Sequence, residues 1–141
     1  MLQEIIDRLK SHATALGEVR PAEDIDALMK GTAPRSGMAF VLPYRERGEP
    51  NTRATGGFRQ KVAVQYLVAF VIRQHDDAKG GKKASMFDEF KMSIEDALAG
   101  WEPPSAQSML ELVSAQSAPI GNGVTIYVQT WETSRYLKGN T

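Results

Sequence analysis

The chain has 141 residues, seventeen Lys and Arg side chains balanced by seventeen Asp and Glu side chains, and no cysteine. This length suits one domain with a sizeable core, and zero net charge gives no overall field that would attract nucleic acid or a membrane. The lack of cysteine excludes a disulfide framework and a thiolate metal site. The first residues show no signal-peptide pattern, and the longest apolar run, Val62–Ile72, is too short to cross a bilayer as a helix. We therefore expect a soluble cytosolic protein without a membrane partner.

The N-terminal part of the chain predicts a helix, a short extended piece and a second, shorter helix. Apolar residues recur at helical spacing over Leu2–Leu16, and Gly17 supplies a stop. Glu18–Arg20 is the extended piece. Pro21–Met29 is predicted to be the short helix, because its proline suits a first helical turn and its acidic residues suit the positive end of a helix.

The next stretch predicts a brief strand followed by a loop. Met38–Leu42 is apolar and is followed by Pro43, which is expected to end the strand. Tyr44–Gly57 is polar, rich in arginine and without a hydrophobic period, which predicts a long mobile loop or an extended hairpin tip. Loops of that length in compact domains are usually functional or disordered.

Phe58–Arg73 gives the strongest strand signal. One face of this strand carries Val62, Val64, Tyr66, Val68, Phe70 and Ile72, and the other carries Ala63, Leu67, Ala69 and Val71. Apolar residues on both faces predict a central strand that is covered on two sides, or on one side by a partner subunit.

The helix after the polar loop Gln74–Lys83 is bounded at both ends by local chemistry. Ser85, with Asp88 three residues later, has the spacing of an N-terminal capping box. Gly100 can take the left-handed conformation that ends a helix, and Pro103 and Pro104 prevent the helix from resuming. Its apolar face consists of Phe87, Phe90, Ile94, Ala97, Leu98 and Trp101.

A hairpin closes the chain. Ser108–Gln116 and Val124–Trp131 are predicted strands, joined by a turn rich in glycine, and the polar tail Glu132–Thr141 is expected to be partly loose. Together the elements predict a single α+β domain over residues 1–141. Its mainly antiparallel sheet of four to five strands would carry two main helices packed on one face.

The sequence contains no arrangement typical of a catalytic site. His12 and His75 fall in different elements, and neither has a metal-ligand partner at helical or hairpin spacing. The run His75–Asp77 could hold a metal or act in acid–base chemistry, although a solvated loop after a strand is the simpler interpretation. We therefore expect no enzyme activity, no metal and no cofactor.

A basic stretch is the better candidate for function, because it has more cations than anions inside a neutral chain. The anions are Glu46 and Glu49, and the cations are Arg45, Arg47, Arg53, Arg59 and Lys61. Arginine binds phosphates in a fork and releases their counterions, so the stretch could contact nucleic acid. It could equally contact an acidic partner surface or be a solvated hairpin. No aromatic residues are interleaved in a stacking pattern, which disfavours sequence-specific reading of nucleic acid.

The order of elements and one helix exit, Ala97-Leu98-Ala99-Gly100-Trp101-Glu102-Pro103, resemble the small tail-terminator (tail-completion) proteins of long-tailed bacteriophages and prophages. In that family a helix that runs into an Ala-Leu-x-Gly-Trp-x-Pro-like exit recurs, and the likeness in layout covers nearly the whole chain. The resemblance implies a structural virion protein, assembled in the host cytoplasm, that forms a hexameric ring of identical copies on the head-proximal end of the tail tube. The ring would stop tube growth and provide the head-docking surface, with the tail-tube protein and a head-completion or connector protein as partners.

The resemblance also divides the residues by role. Structural roles would fall to Leu98, Gly100, Trp101 and Pro103, whereas contact with a protein partner, or non-specifically with DNA in the channel, would fall to Arg45, Arg47, Arg53 and Arg59. Two other functions fit the sequence. One is another head–tail connector or neck protein, and the other is a small ligand- or metal-binding domain that uses His75–Asp77.

Overall fold

The computed structural model describes residues 1–22, 35–51, 57–73, 81–121 and 123–139. Its helices are α1 (Leu2–His12) and α2 (Gly81–Leu98), and its strands are β1 (Glu18–Pro21), β2 (Met38–Gly48), β3 (Arg59–Arg73), β4 (Glu111–Gly121) and β5 (Val124–Lys138). The five strands form one sheet in the order β1-β2-β3-β5-β4. β1 runs parallel to β2, and the other pairings are antiparallel. The predicted α+β fold with a mainly antiparallel sheet is confirmed.

Both helices pack on one face of the sheet, as their apolar stripes predict. Ile5, Ile6 and Leu9 of α1 and Phe90 and Ile94 of α2 are buried in the same core. The sheet contributes alternate side chains of β3 to it, since successive residues of a strand point to opposite faces. These are Val62, Val64, Tyr66, Val68, Phe70 and Ile72.

Phe70 is the centre of an aromatic cluster in this core. Its ring centroid lies 5.9 Å from that of Phe87, 5.6 Å from that of Phe90 and 5.2 Å from that of Tyr127, with the ring planes inclined to one another. Tilted and edge-on aromatic pairs contribute about 0.5–1.5 kcal/mol each beyond the burial of their surface. The cluster therefore fixes α2 over β3 and β5.

The opposite face of the sheet, which we call the helix-free face, holds a second apolar cluster. Its buried members are Phe40, Leu42, Ala69, Val71, Val124, Ile126 and Val128. Because β3 is third of the five strands and is apolar on both faces, the prediction of a central strand is confirmed. The cluster occupies one end of the helix-free face, and the other end is polar.

The first helix is shorter than the sequence predicts. α1 ends at His12, and Ala13 leaves the helical conformation with φ −89° and ψ 71° while its N–H donates to the Leu9 carbonyl at 2.9 Å. Ala13 remains buried. The apolar stripe therefore extends beyond the helix, because a residue after the last turn can still face the core.

Two prolines that were expected to bound elements lie inside strands. Pro21 is the last residue of β1 instead of the first residue of a helix, and the remainder of that predicted helix, Ala22 apart, lies outside the described residues. Pro43 lies within β2, which continues through a bulge to Gly48. β1 is outermost and covers β2 only as far as Val41. Proline is tolerated at such sheet edges, since its missing N–H can face the side without a ladder partner.

For Tyr44–Gly48 the predicted mobile loop is wrong, and the alternative prediction of an extended hairpin is confirmed. These residues form an arm of the β2–β3 hairpin, paired as far as Gly48 with Val62. Their side chains are exposed, which explains the missing hydrophobic period. Residues 52–56 lie outside the described part of the chain.

The predicted start of the second helix is also wrong. α2 begins at Gly81, so Ser85 and Asp88 lie inside the helix and do not form a capping box. Lys82, Lys83 and Ala84 are strong helix formers and support the additional turn. The predicted end, before Gly100, is confirmed.

The tail is a strand as far as Lys138. Residues 132–138 extend β5 and pair with the first half of β3, where Glu132 opposes Gln65 and Lys138 opposes Arg59. The segment looks loose in sequence because it is polar, yet backbone pairing needs no apolar side chains. The other strand of the closing hairpin, β4, begins at Glu111 and not at Ser108, where the sequence predicts its start.

A candidate contact surface at the polar end of the sheet

Three side chains form a hydrogen-bonded row across the polar end of the helix-free face. Arg45 of β2, Gln65 of β3 and Glu132 of β5 are register partners. Arg45 Nε donates to Gln65 Oε1 at 2.9 Å, and Gln65 Nε2 donates to Glu132 Oε1 at 2.9 Å. The buried amide of Gln65 is therefore satisfied at both ends and links a cation to an anion two strands away.

Among the depressions that border this row, two share Arg47, Ala63 and Glu132, and we call these two together the polar groove. The first, of about 400 Å³, is lined by Arg45, Glu46, Arg47, Ala63, Gln65 and Glu132. The second, of about 340 Å³, is lined by Arg47, Glu49, Lys61, Ala63, Ser108, Met109, Glu111, Glu132, Thr133 and Ser134. The lining carries charges of both signs, which suits a polar partner surface of mixed charge.

Arg47 borders both parts of the polar groove. Its side chain is exposed and makes no hydrogen bond or ion pair with any residue that the structure describes. The guanidinium is a planar donor that can bind a carboxylate through two hydrogen bonds. Within the described part of the basic stretch, the Arg47 guanidinium is therefore available for such hydrogen bonds.

The four arginines singled out in the sequence separate into different settings. Arg45 and Arg47 line the polar groove, whereas the Arg59 guanidinium lies 3.9 Å from the ring centroid of Tyr136. Such stacking at an exposed site contributes about 0.5–1 kcal/mol. Arg53 lies outside the described residues.

An ion pair on the helix side ties the same three strands together. Arg135 of β5 donates from Nε to Glu46 Oε1 at 2.9 Å and from Nη2 to Glu46 Oε2 at 3.1 Å, across β3. Through this hydrogen bond above all, Arg135 lowers the pKa of Glu46, and Glu46 raises the pKa of Arg135. Burial, followed by the nearby Glu46 charge, raises the pKa of the Tyr66 phenol.

Histidine and acidic side chains do not cluster into a metal site within the described residues. No group of three or more His, Cys, Asp or Glu side chains among them could hold a metal ion. His12 is exposed, and its ring nitrogens lie 2.7 Å from Ser11 Oγ and 3.0 Å from Arg8 Nη1. The run His75–Asp77 lies outside the described part of the chain, so its metal-binding role stays a prediction.

The exit of α2 is held by backbone hydrogen bonds. Gly100 has a φ of 75°, and Leu98 just before it is fully buried. The Gly100 N–H donates to the Leu110 carbonyl at 3.0 Å, and the Leu110 N–H donates to the Trp101 carbonyl at 2.9 Å. Pro103 is buried, and its carbonyl accepts from the Ala106 N–H at 2.9 Å.

The same exit is anchored to α1. Arg8 Nε donates to the Ala97 carbonyl at 2.8 Å, and the Arg8 guanidinium lies 5.1 Å from the Trp101 ring centroid. Glu4 accepts hydrogen bonds from the Ser105 hydroxyl and, at 3.0 Å, from the Ser105 N–H, and these bonds lower the pKa of Glu4. These contacts join α1 to α2 and to the segment that follows α2, and none of the residues lines the polar groove.

Sequence reasoning missed the acidic part of the polar groove. The sequence predicts a partly loose tail for Glu132 and only a strand position for Glu111. Extending the alternation of β5 beyond Trp131 would have placed Glu132 on the helix-free face. No sequence pattern identifies Arg135 as the partner of Glu46, because the contact depends on long-range strand pairing.

Comparisons with known proteins give one family and one fold. The family described as phage tail terminator protein matches residues 1–141. No curated protein was found to match the chain. Among solved structures, a chain from the virion of a native gene transfer agent (GTA) particle is similar with a TM-score of 0.62 and 13% identity, over 99% of this chain and 95% of the other. At that identity the likeness is one of fold. Within the described ranges, no helix has the length and apolarity to cross a membrane.

Proposed function

This chain belongs to the phage tail terminator family, and we propose that it closes the head-proximal end of the tail tube as a ring of identical copies. Family membership makes it a structural protein of phage tail assembly. In the proposed role, the ring stops further tube subunits from adding and presents the surface to which the head attaches. The observation that carries the proposal is the match of the family to residues 1–141, which are the whole chain.

The architecture suits a cap. A cap must stay rigid while it binds different neighbours on different sides, and it needs no catalytic group. β3 and β5, each of fifteen residues, pair along their whole lengths and form a stiff centre. The helices cover one face of this centre, which leaves the polar end of the helix-free face for contacts.

We assign the contacts of Arg45 and Arg47 to protein and not to DNA in the channel. The polar groove also contains Glu49, Glu111 and Glu132, whose charges repel phosphates. Proposed partners are further copies of the chain in a hexamer, the tail-tube protein and a head-completion or connector protein. Particle assembly would take place in the host cytoplasm, with the ring ending at the head-proximal end of the tail in the virion.

Particles made without this chain would test the proposal. We expect tails of variable, excessive length that carry no heads, and restoration of uniform, headed particles when the wild-type chain is supplied. Arg47→Glu should restore fewer than one tenth as many infectious particles as wild type. Lys10→Glu is the matched control, since Lys10 is also exposed and makes no hydrogen bond or ion pair with a described residue.

The outcomes are distinguishable by electron microscopy of the particles. Headless tails of uniform, normal length in the absence of the chain would favour another head–tail connector. Normal infectious particles without the chain would reject a role in tail completion altogether.

A further inference from the structure

The sheet has two open edges among the described residues. β4 is outermost and pairs with β5 alone, and the side chains from Glu111 to Ser117 are exposed. On the other side, β1 covers β2 only from Met38 to Val41. The outer edge of β2 from Pro43 to Gly48 therefore has no partner strand in the described part of the chain.

The β4 edge has the composition of a contact surface. Leu112 is 45% exposed, Val113, at a bulge, is 49% exposed, and Met109 just before the strand is 58% exposed. The segment from Leu112 to Ala118 contains no charged residue. Free edges in natural proteins usually carry charges that prevent another strand from docking, so this uncharged edge favours an occupant.

The charges across the polar end of the sheet change sign from one edge to the other. Register partners from β2 to β4 are Arg45, Gln65, Glu132 and Glu111, that is, a cation, an amide and two anions. Glu111 and Glu132 stand directly opposite each other, and like charges in that position are destabilising. A cation supplied from outside β4 would relieve the repulsion.

A second copy of this chain supplies such a cation. When that copy is turned by the rotation of the ring and its β2 lies antiparallel to β4, its β2 edge brings Arg45 and Arg47 toward Glu111 and Glu132, and its exposed Tyr44 toward the apolar side chains at the start of β4. We propose that the start of the β4 edge of one copy, from Met109 to Val113, docks on the β2 edge of the next between Pro43 and Gly48, since β1 of that copy covers β2 as far as Val41. The contact is head-to-tail and can close into a ring, so this inference rests on the proposed ring and identifies its subunit interface.

Two interface variants test the contact in purified full-length protein by native mass spectrometry. Val113→Asp places a charge on the β4 edge, and Arg45→Glu with Arg47→Glu reverses the charge of the β2 edge. We expect each variant to lose the ring and to appear at the 15.5 kDa mass of one chain. Met92→Asp is the control, because Met92 is 58% exposed but lies on α2, and it should keep the ring.

Mixing the two variants gives the decisive measurement. Each retains one intact edge, so the mixture should form a species of twice the chain mass and nothing larger. That dimer also proves that both variants are folded. Adding Glu111→Arg to the β2-edge variant exchanges the charges on the two sides of the contact. We expect at least half of the rings to form again.

Several results would overturn the interface. These are a wild-type protein that stays monomeric at every concentration, a β2-edge variant that still assembles, or a mixture that stays monomeric. A β2-edge variant that keeps its ring and loses only binding to duplex DNA would identify DNA as the occupant instead. If wild-type rings assemble through these edges but do not control tail length, the proposed function is rejected. The proposed interface is supported by the same result.

Discussion

Gly100 illustrates how one residue positions two parts of the chain. Its φ of 75° lies in the left-handed region that residues with a Cβ avoid. A Cβ at this position would meet no atom within 4 Å, so the restriction comes from the backbone conformation and not from crowding. That conformation lets the Gly100 N–H reach the Leu110 carbonyl, which connects the end of α2 to the approach of β4.

Substitutions at Gly100 should therefore lower stability according to their tolerance of the left-handed conformation. We expect Gly100→Ala to lower the free energy of unfolding by about 1–2 kcal/mol, Gly100→Val by more because it is β-branched, and Gly100→Asn by less. Urea denaturation measures the values. Gly17→Ala is the control, since its Cβ would lie 3.9 Å from its nearest neighbour and its φ is not left-handed. Equal losses at Gly17 and Gly100 would contradict the explanation.

Among the helices and strands, those that bury at least one face could be predicted from the sequence. α1, α2 and β3 show the helical or alternating period because a continuous core selects apolar residues on one or both faces. Tyr44–Gly48 is a strand without such a period because its side chains are exposed. Glu132–Lys138 lacks the period because most of its residues are polar, including the buried Thr133 and Ser134. Backbone hydrogen bonds hold these two arms, and no residue pattern records them.

The candidate site could also be predicted from the sequence only in part. An excess of arginine identified Arg45 and Arg47 before the fold was known, and the fold places both in the polar groove. Gln65 and Glu132 join them only because three strands align in register. Charge content is a property of the local sequence, whereas the charge pattern across a sheet is set by topology.

Glu46→Gln tests the ion pair that spans β2, β3 and β5. Arg135 lowers the pKa of Glu46 below its ordinary value of 4.5. The stability that the pair contributes is therefore present above that value and is lost as pH falls through the lowered folded pKa. At pH 7 the variant should be less stable by at most about 1 kcal/mol, because the pair is exposed.

A pH series of urea denaturation curves at low salt measures the effect of Glu46→Gln. The free energies of unfolding of variant and wild type should converge in acid, once Glu46 is protonated in both the folded and the unfolded chain. Arg135→Lys keeps the charge but loses the two-bond geometry, so it should retain part of the pH dependence. A difference between Glu46→Gln and wild type that stays constant through acid would show that the charge of Glu46 is not its cause.

At the scale of the whole molecule, the sheet separates stability from contact. One end is apolar on both faces, with Phe70 and Ala69 on adjacent positions of β3 buried in different clusters. The other end of the sheet consists mainly of β2, β3 and β5, and the polar groove lies there on the helix-free face. A rigid centre thus carries exposed edges without relying on their contacts for its own folding.

Hydrogen exchange followed by mass spectrometry tests this separation across the molecule. In the monomeric variant Arg45→Glu with Arg47→Glu, amides of β3 and β5 should exchange most slowly, because each strand is paired on both sides and opens only with the whole fold. Amides of β4 that point away from β5 should exchange quickly. In the wild-type ring, the start of β4 and the segment from Pro43 to Gly48 should slow by at least tenfold, whereas the outer face of α2 around Met92 should not change. Uniform slowing over both helices would indicate general stabilisation instead of contact at the two edges, and unchanged exchange in β4 would place the subunit contact on another surface.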